Sequence, residues 1–381
     1  MKTYDVAVIG AGVFGAWTAL QLARQGKSVV LVEAYGAGHS RSSSGDESRI
    51  IRMGYGKDEI YTRWSQRSLM QWKELFDEQQ VRLFHQTGVL WLAGEDETRL
   101  NETRATLKRC GVAFEDLDLA ALRERFPQIG LGGIRSAILE THSGVLIARR
   151  AVAATVAEAV RLGVTYVHAL VEQPKAKGSL RTVRTKSGEE IAAGQFVFAC
   201  GPWLAKLFPE IVGPRLFVTR QEVFYFGLPA GDGRFAPPTL PTFLFQNDES
   251  YGMPDIESRG LKIALDAHGA AVDPDTQSRV VSEESARAMR DYVAKRFPAL
   301  CAAPIAETRV CQYENTSNGD FLIDRHPEIE NVWFAGGGSG HGFKHGPALG
   351  AYVARQLLGE RPAEPRFSLA TKETVQCRAV Y

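Results

Sequence analysis

The chain has 381 residues, 44% hydrophobic and 23% charged, the balance of a globular protein with a large core and about two domains. A formal net charge of +1 at pH 7 supplies no electrostatic footprint for nucleic acid or for an anionic membrane surface. Five cysteines, Cys110, Cys200, Cys301, Cys311 and Cys377, are odd in number and widely spread; they lack zinc-site spacing and fit a reducing cytoplasm.

Asp5–Glu33 reads as strand, turn, helix and strand. Val6–Ile9 is apolar and rich in β-branched residues, as a parallel strand buried on both faces requires. Gly10, Gly12 and Gly15 follow in GxGxxG spacing, which serves a tight turn, close approach of backbone to a pyrophosphate, and close packing of helix on strand. The helix opening at Val13 and Phe14 then aims its N–H groups and positive dipole end at the phosphates. Val29–Val32 is the second strand. Glu33 at its end is placed to accept from a ribose hydroxyl, and its charge disfavours a 2′-phosphate. Two alternatives are an unliganded glycine-rich turn and a membrane span or signal peptide over the uncharged run Val6–Ala23. The immediate return as a second strand, and Asp5 against the apolar run, argue against the latter.

The glycine- and serine-rich segment after Glu33 reads as a long loop, the kind that crosses a ligand. Within it Ile50 and Ile51 anchor backbone in core while Arg49 and Arg52 hold two guanidiniums nearby; ordinary surface arginines are the alternative. Ile60–Leu75 has helical periodicity, with Leu69, Trp72 and Leu75 on the buried face. Phe84–Leu92 is strand-like and loosened by Gly88. Glu95–Phe126 reads as surface helices, its LRERF stretch a solvated face. A GVL turn at Gly144 leads into an amphipathic helix ending near Gly163, then a strand Thr165–Val171. Short strands at Arg181–Arg184 and Glu189–Ile191 precede the buried strand Phe196–Ala199, where Cys200 reads as a small core residue. From Arg215 to Arg309 the alternation and the prolines suggest a separate, mainly antiparallel domain, with a helix over Ser282–Phe297. Val332–Ala335 then runs into GGGSGHGFK and a helix Pro347–Leu358, repeating the physics of the opening motif. Nucleotide-binding sequence at both ends implies a discontinuous domain.

GAGVFG, GDESRIIR, THSGVL, YGMPDIESRGLK, CQYENTSNGDFLIDRHP and GGGSGHGFK stand in series along the chain. In that order and spacing the chain resembles the FAD-dependent amine and amino-acid oxidases of the monomeric sarcosine oxidase and N-methyl amino acid oxidase type, within the D-amino-acid oxidase superfamily. The resemblance spans nearly the whole sequence. It implies an α/β fold: a discontinuous Rossmann-type FAD-binding domain over residues 1–84, 143–214 and 312–381, and a mainly antiparallel substrate domain over 85–142 and 215–311. It also implies a monomer acting on a small amine and dioxygen.

By that resemblance the dinucleotide is FAD. Gly10, Gly12, Val13, Phe14 and Gly15 take the pyrophosphate, Glu33 the adenosine ribose, Ser43 and Ser44 the phosphate and ribityl region, and Val171 the adenine through its backbone. Gly337, Gly338, Gly340, His341, Gly342, Phe343 and Lys344 present N–H groups to the flavin pyrimidine ring, where positive potential eases reduction; a plain helix cap is the alternative. Cys311 stands where the family forms a thioether to the flavin 8α-methyl carbon, against a noncovalent site with an inert thiol. Lys262 matches the lysine that promotes oxygen reduction, against a snorkelling surface residue. Arg49 matches an arginine stacked on the flavin face. Arg52 and Lys344 match the carboxylate-binding pair, and Tyr251 and Tyr313 the aromatic walls of the pocket.

One position departs from the family. Asp266 stands where sarcosine oxidases carry a histidine near the substrate. An anion there repels a second carboxylate and attracts a cationic or hydroxylated group. His268 reaches the same face only if no bulge intervenes. The implied reaction is oxidation of a C–N bond to an imine, hydrolysed by water, with hydrogen peroxide as the reduced product. Rivals are a dehydrogenase of the same fold using a quinone or electron-transfer protein, and a non-catalytic FAD-binding module.

Overall fold

The computed structural model describes residues 2–360 and 362–377. Its opening is the strand Thr3–Ile9, the helix Val13–Arg24 and the strand Val29–Glu33. Val6–Ile9 and every residue of Val29–Glu33 are buried: Val6, Val8, Val29 and Leu31 pack in one apolar cluster, and Ala7, Ile9, Val30 and Val32 in a second on the opposite face. Thr3–Ile9 lies at the centre, parallel to Val29–Glu33 on one side and to Glu190–Phe198 on the other. Thr165–His168 extends the first side and Val332–Gly336 the second, both in parallel, with Leu322–Arg325 antiparallel at the far edge. The strand order reverses between Thr3–Ile9 and Glu190–Phe198, which is where open α/β sheets form a ligand crevice. Helices Val13–Arg24 and Gly346–Leu357 pack together on this sheet: a Cβ on Gly350 would come within 2.6 Å of the Trp17 backbone. The two glycine-turn-and-helix units at opposite ends of the chain are thereby neighbours in space.

A second sheet of eight strands runs Ile305–Thr316, Leu216–Phe226, Leu261–Leu265, Ser250–Met253, Thr242–Phe245, Val89–Ala93, Ser136–Glu140, Phe114–Leu117. It is antiparallel except for the pairing of Thr242–Phe245 with Val89–Ala93. Its core is phenylalanine-rich, with Phe224, Phe226, Phe235, Phe243, Phe245 and Phe297 in one cluster. Ser48–Ile51, Gly144–Ile147 and Phe84–His85 form a third, small sheet. This mixed α/β architecture is the one the resemblance implied.

Local expectations give way to packing in several places. Gly144–Ile147 is a fully buried strand, not a turn; a Cβ on Gly144 would lie 2.1 Å from the His85 carbonyl oxygen, so the missing side chain admits a neighbouring strand. The long loop after Glu33 contains the strand Ser48–Ile51, because Ile51 is core and Arg49 pairs with Leu146 across the small sheet. Phe114–Leu117 is a strand inside the region read as helices, and Glu190–Phe198 is one continuous strand. Phe84–Leu92 divides into two strands at Gly88, whose φ of +73° no strand interior adopts. In LRERF, Leu122 and Phe126 are buried, so only the charged positions form a solvated face. Among the described residues no helix is long and apolar enough to cross a membrane.

Candidate active site

A groove of about 470 Å³ follows the C-terminal ends of the parallel strands. At Gly10 the backbone takes φ +102°, and a Cβ there would stand 2.4 Å from the Ala199 carbonyl oxygen, so only glycine makes this turn. Gly12 heads the helix Val13–Arg24 without a side-chain cap, while Ser44 Oγ accepts from Val13 N–H at 3.1 Å. Glu33 is held by two backbone donors, Ala11 N–H to Oε2 at 2.7 Å and Tyr35 N–H to Oε1 at 2.9 Å. Each carboxylate oxygen keeps a second lone pair for a ligand hydroxyl. Val171 lines the groove beside Glu33.

The other end of the groove is built from Ser43, Arg49, Tyr313, Gly338, Gly340, Gly342 and Phe343. The closing glycine turn rests on the opening one: a Cβ on Gly342 would meet the Phe14 ring at 2.7 Å, and one on Gly340 the Tyr313 ring at 2.7 Å. Glu314 lies beneath. Its Oε1 accepts from Gly338 N–H at 3.2 Å, whereas its buried Oε2 has no partner among the described residues. Burial pushes this carboxyl up to about 7.

Some sequence-predicted residues do not face the groove. Gly15 packs beneath the turn, where a Cβ would overlap the Gly10 carbonyl oxygen at 1.8 Å, and the space beside Gly337 is filled by Thr316 at 2.6 Å. The His341 ring turns away into core, stacking on Phe321 with centroids 4.9 Å apart and pairing through Nε2 with Gly319 O at 3.0 Å. Only its backbone is left for a ligand. Ser43 lines the groove, but its hydroxyl donates to Gln312 O at 2.8 Å.

Beside the closing glycine turn, the first cluster of charge is organised by Asp46. Its carboxylate receives Lys262 Nζ at 2.6 Å, Tyr225 Oη at 3.0 Å and Glu47 N–H at 2.7 Å, and pairs with Arg49 Nη1. Burial opposes the charge, yet Lys262 and Arg49 outweigh it and hold the carboxyl well below the usual range. Lys262 is 1% exposed and also donates to Ser48 O at 2.7 Å and Ser48 Oγ at 3.3 Å. Burial lowers it to about 8 against the attraction of Asp46. Arg49 also donates to Ser43 O at 3.0 Å and Cys311 Sγ at 3.3 Å.

The second cluster joins Arg52 and Lys344 through Tyr55. Arg52 lies over the Tyr55 and Trp91 rings, at 4.3 and 4.8 Å from their centroids. Lys344 Nζ donates to Tyr55 Oη at 2.9 Å and His341 O at 2.9 Å. Burial, then the nearby Arg52, pushes Lys344 well below its ordinary value. Glu140 fixes the backbone between them, accepting from Met53 N–H at 2.7 Å and Gly54 N–H at 2.9 Å. Facing this cluster, Asp266 accepts from Tyr313 Oη at 2.8 Å, and the Tyr251 hydroxyl bonds the same tyrosine. Burial raises Asp266 while Tyr313, Arg52, Arg99 and Lys344 draw it down. His268 packs edge-on against Tyr313 at 6.4 Å, so it does share the tyrosine with Asp266.

Residues 5–356 match the family described as FAD dependent oxidoreductase. The chain belongs to that family. Within it, the mouse peroxisomal sarcosine oxidase is 32% identical over 374 residues, covering 96% of this chain and 94% of that protein. The monomeric sarcosine oxidase of Streptomyces avermitilis is 30% identical over 372 residues, 95% of this chain and 96% of the relative. Among solved structures, the L-proline dehydrogenase of P. horikoshii superposes with a TM-score of 0.84 at 22% identity, over 97% of each chain.

The groove of this FAD-dependent oxidoreductase suits its family's cofactor on its own geometry. It offers side-chain-free backbone at Gly10 and Gly12, free lone pairs on Glu33, and at Glu314 Oε2 a buried acceptor lacking a donor. Asp46, Glu314 and Tyr55 are the site residues that sequence reasoning passed over. Asp46 and Glu314 lie inside motifs already singled out, and a buried lysine's need for a counter-charge was the available signal for the first. Tyr55, three residues beyond Arg52, carried none.

Proposed function

We propose that the protein oxidises a carboxylate-bearing amine, an N-substituted, cyclic or primary amino acid, with dioxygen as the acceptor. The substrate loses two electrons and two protons as its C–N single bond becomes an imine. Dioxygen gains the same to become hydrogen peroxide, and water hydrolyses the imine. The observation that carries this reading is the convergence of Arg52 and Lys344 on Tyr55, which fixes a guanidinium and a buried amine side by side at the closing glycine turn. Such a pair suits a carboxylate, the guanidinium by paired donors and the amine as a point charge once the anion beside it favours its protonated form. The sarcosine oxidases among its relatives act, by name, on an N-methylated amino acid.

FAD would be held by Gly10, Gly12, Val13, Phe14, Glu33, Ser44, Val171 and the 337–344 turn, with Cys311 as its covalent anchor; bound there it supplies a two-electron acceptor. The chain's own work is positioning: Arg52 and Lys344 fix the carboxylate, and Tyr251 and Tyr313 wall the pocket. Lys262 and Arg49 add fixed positive potential in a site shielded from water, where negative charge develops on oxygen. We infer a monomer, working in a reducing compartment such as the cytoplasm. The test is anaerobic stopped-flow with a panel of N-methyl and cyclic amino acids. Loss of the oxidised flavin absorbance with at least one is expected; no bleaching by any carboxylated amine sinks the substrate class.

One observation favours a second reading, a dehydrogenase that passes electrons to a quinone or an electron-transfer protein. Asp46 cancels the charge of Lys262. Peroxide production in air separates the readings: an oxidase turns over fast in air, and Lys262→Met slows it by orders of magnitude.

A further inference from the structure

We propose that Asp46 is the positioning residue that keeps Lys262 protonated and aimed, and that it thereby controls the oxygen-reducing half of the reaction; this rests on the oxidase reading. Asp46 and Lys262 are each 1% exposed at the side chain, and their contact is 2.6 Å. Among the described residues, Ser48 contributes neutral acceptors, Arg49 from the small sheet adds positive charge nearby, the Cys311 sulfur from the long strand lies against that same guanidinium, and the Tyr225 ring lies 5.7 Å away. Beyond Tyr225, a cavity of about 30 Å³ is lined by Lys262 together with Arg150 and Glu257.

The remaining charges around that cavity are already matched. Arg150 pairs with Glu257 at 2.7 Å, Arg259 with Glu307 at 2.6 Å, and Glu47 with Arg309 at 2.9 Å and Arg149 at 3.1 Å. Asp46 is therefore the acid in contact with both Lys262 and Arg49. Without it, two cations would face each other out of water. Arginine does not surrender its proton, so lysine must. Removing one opposite charge at this distance lowers a lysine's titration midpoint by about one to three pH units. From a starting point of about 8, Lys262 would then be neutral at physiological pH.

The experiment uses flavin-loaded enzyme and two readouts. Reoxidation of the chemically reduced protein by dioxygen is followed across pH 5–10 for wild type, Asp46→Asn, Asp46→Glu, Lys262→Met and the Asp46→Asn/Lys262→Met double variant; Asp46→Ser replaces Asp46→Asn if that protein does not accumulate. The lysine ¹³Cε resonance that vanishes in Lys262→Met is titrated by NMR in the oxidised protein. The expected result is an acid shift of at least about one pH unit in both profiles for Asp46→Asn, return toward wild type in Asp46→Glu, and a double variant no slower than Lys262→Met alone. An unshifted NMR titration, or a double variant about tenfold slower than Lys262→Met, overturns the proposal. If Lys262→Met reoxidises as fast as wild type, the oxidase reading falls and takes the claimed control of oxygen with it, while the NMR titration still decides whether Asp46 sets the charge of Lys262.

Discussion

Arg49 Nη2 donates to Cys311 Sγ at 3.3 Å, and the same guanidinium is fixed by Asp46 and the Ser43 carbonyl. That contact fixes the position of the sulfur that a thioether would use, with a guanidinium held against it. The wild-type protein is expected to keep its flavin through acid precipitation, and Cys311→Ser to release it into the supernatant. Arg49→Met, with the thiol intact, should acquire covalent flavin at least about tenfold more slowly. Release of all flavin from the wild type rejects the attachment.

On the proposed reading Arg52 and Lys344 take the substrate carboxylate, and Tyr55 contacts both of them. A hydrogen bond to a charged group is worth about 1.5–3 kcal/mol, so Arg52→Met should lower kcat/KM for an amino-acid substrate by about 10- to 150-fold. Tyr55→Phe, which removes one of the two acceptors of Lys344 Nζ and leaves the His341 carbonyl, should cost less and act mainly through KM. An amine of the same shape without a carboxylate is the control: equal losses for both substrates would place these residues outside the carboxylate site.

The parts of the site that were legible in the sequence are those made by backbone. The Gly10 turn, the helix after it and the strand ending in Glu33 need particular residues at fixed spacing, so the pattern carries the geometry. The two glycine turns at opposite ends of the chain share that pattern, and they touch in the fold, where a Cβ on Gly342 would meet the Phe14 ring. What was not legible is side-chain partnership across the sheets. Asp46 and Lys262 are 216 positions apart, and Tyr55 meets His345 at 2.8 Å across 290; no local periodicity encodes either. The direction of the His341 ring was illegible for the same reason, since an aromatic core around Phe321 and not its own turn decides where it packs.

Asp266 and Tyr313 place a carboxylate where a histidine was expected from relatives. Raised by burial, and facing Arg52 and Lys344 at longer range, this group is expected to favour a substrate with a hydroxyl or cationic side chain over N-methylglycine. Asp266→Asn should reduce the ratio of kcat/KM for such a substrate to that for N-methylglycine by about tenfold or more, one charge-assisted hydrogen bond's worth. An unchanged ratio removes Asp266 from specificity.

Glu314 makes a prediction about stability whose sign is opposite to that of a salt-bridged acid. Its ordinary value of 4.5 rises to about 7 in the fold because burial penalises the charged form. The folded state therefore holds this proton more tightly than the unfolded chain. Its contribution is intact below about pH 4.5 and is lost as pH rises through about 7. A difference of two and a half units corresponds to about 3 kcal/mol. Flavin-free protein, prepared from Cys311→Ser, should accordingly lose that much stability between pH 4 and 8 relative to the same protein carrying Glu314→Gln, measured by urea denaturation at each pH. Bound flavin should reduce the loss, because a donor supplied to Oε2, which has no partner among the described residues, would stabilise the carboxylate. If the two proteins differ by a constant amount at every pH, Glu314 is not the buried, proton-holding acid that the groove geometry makes it.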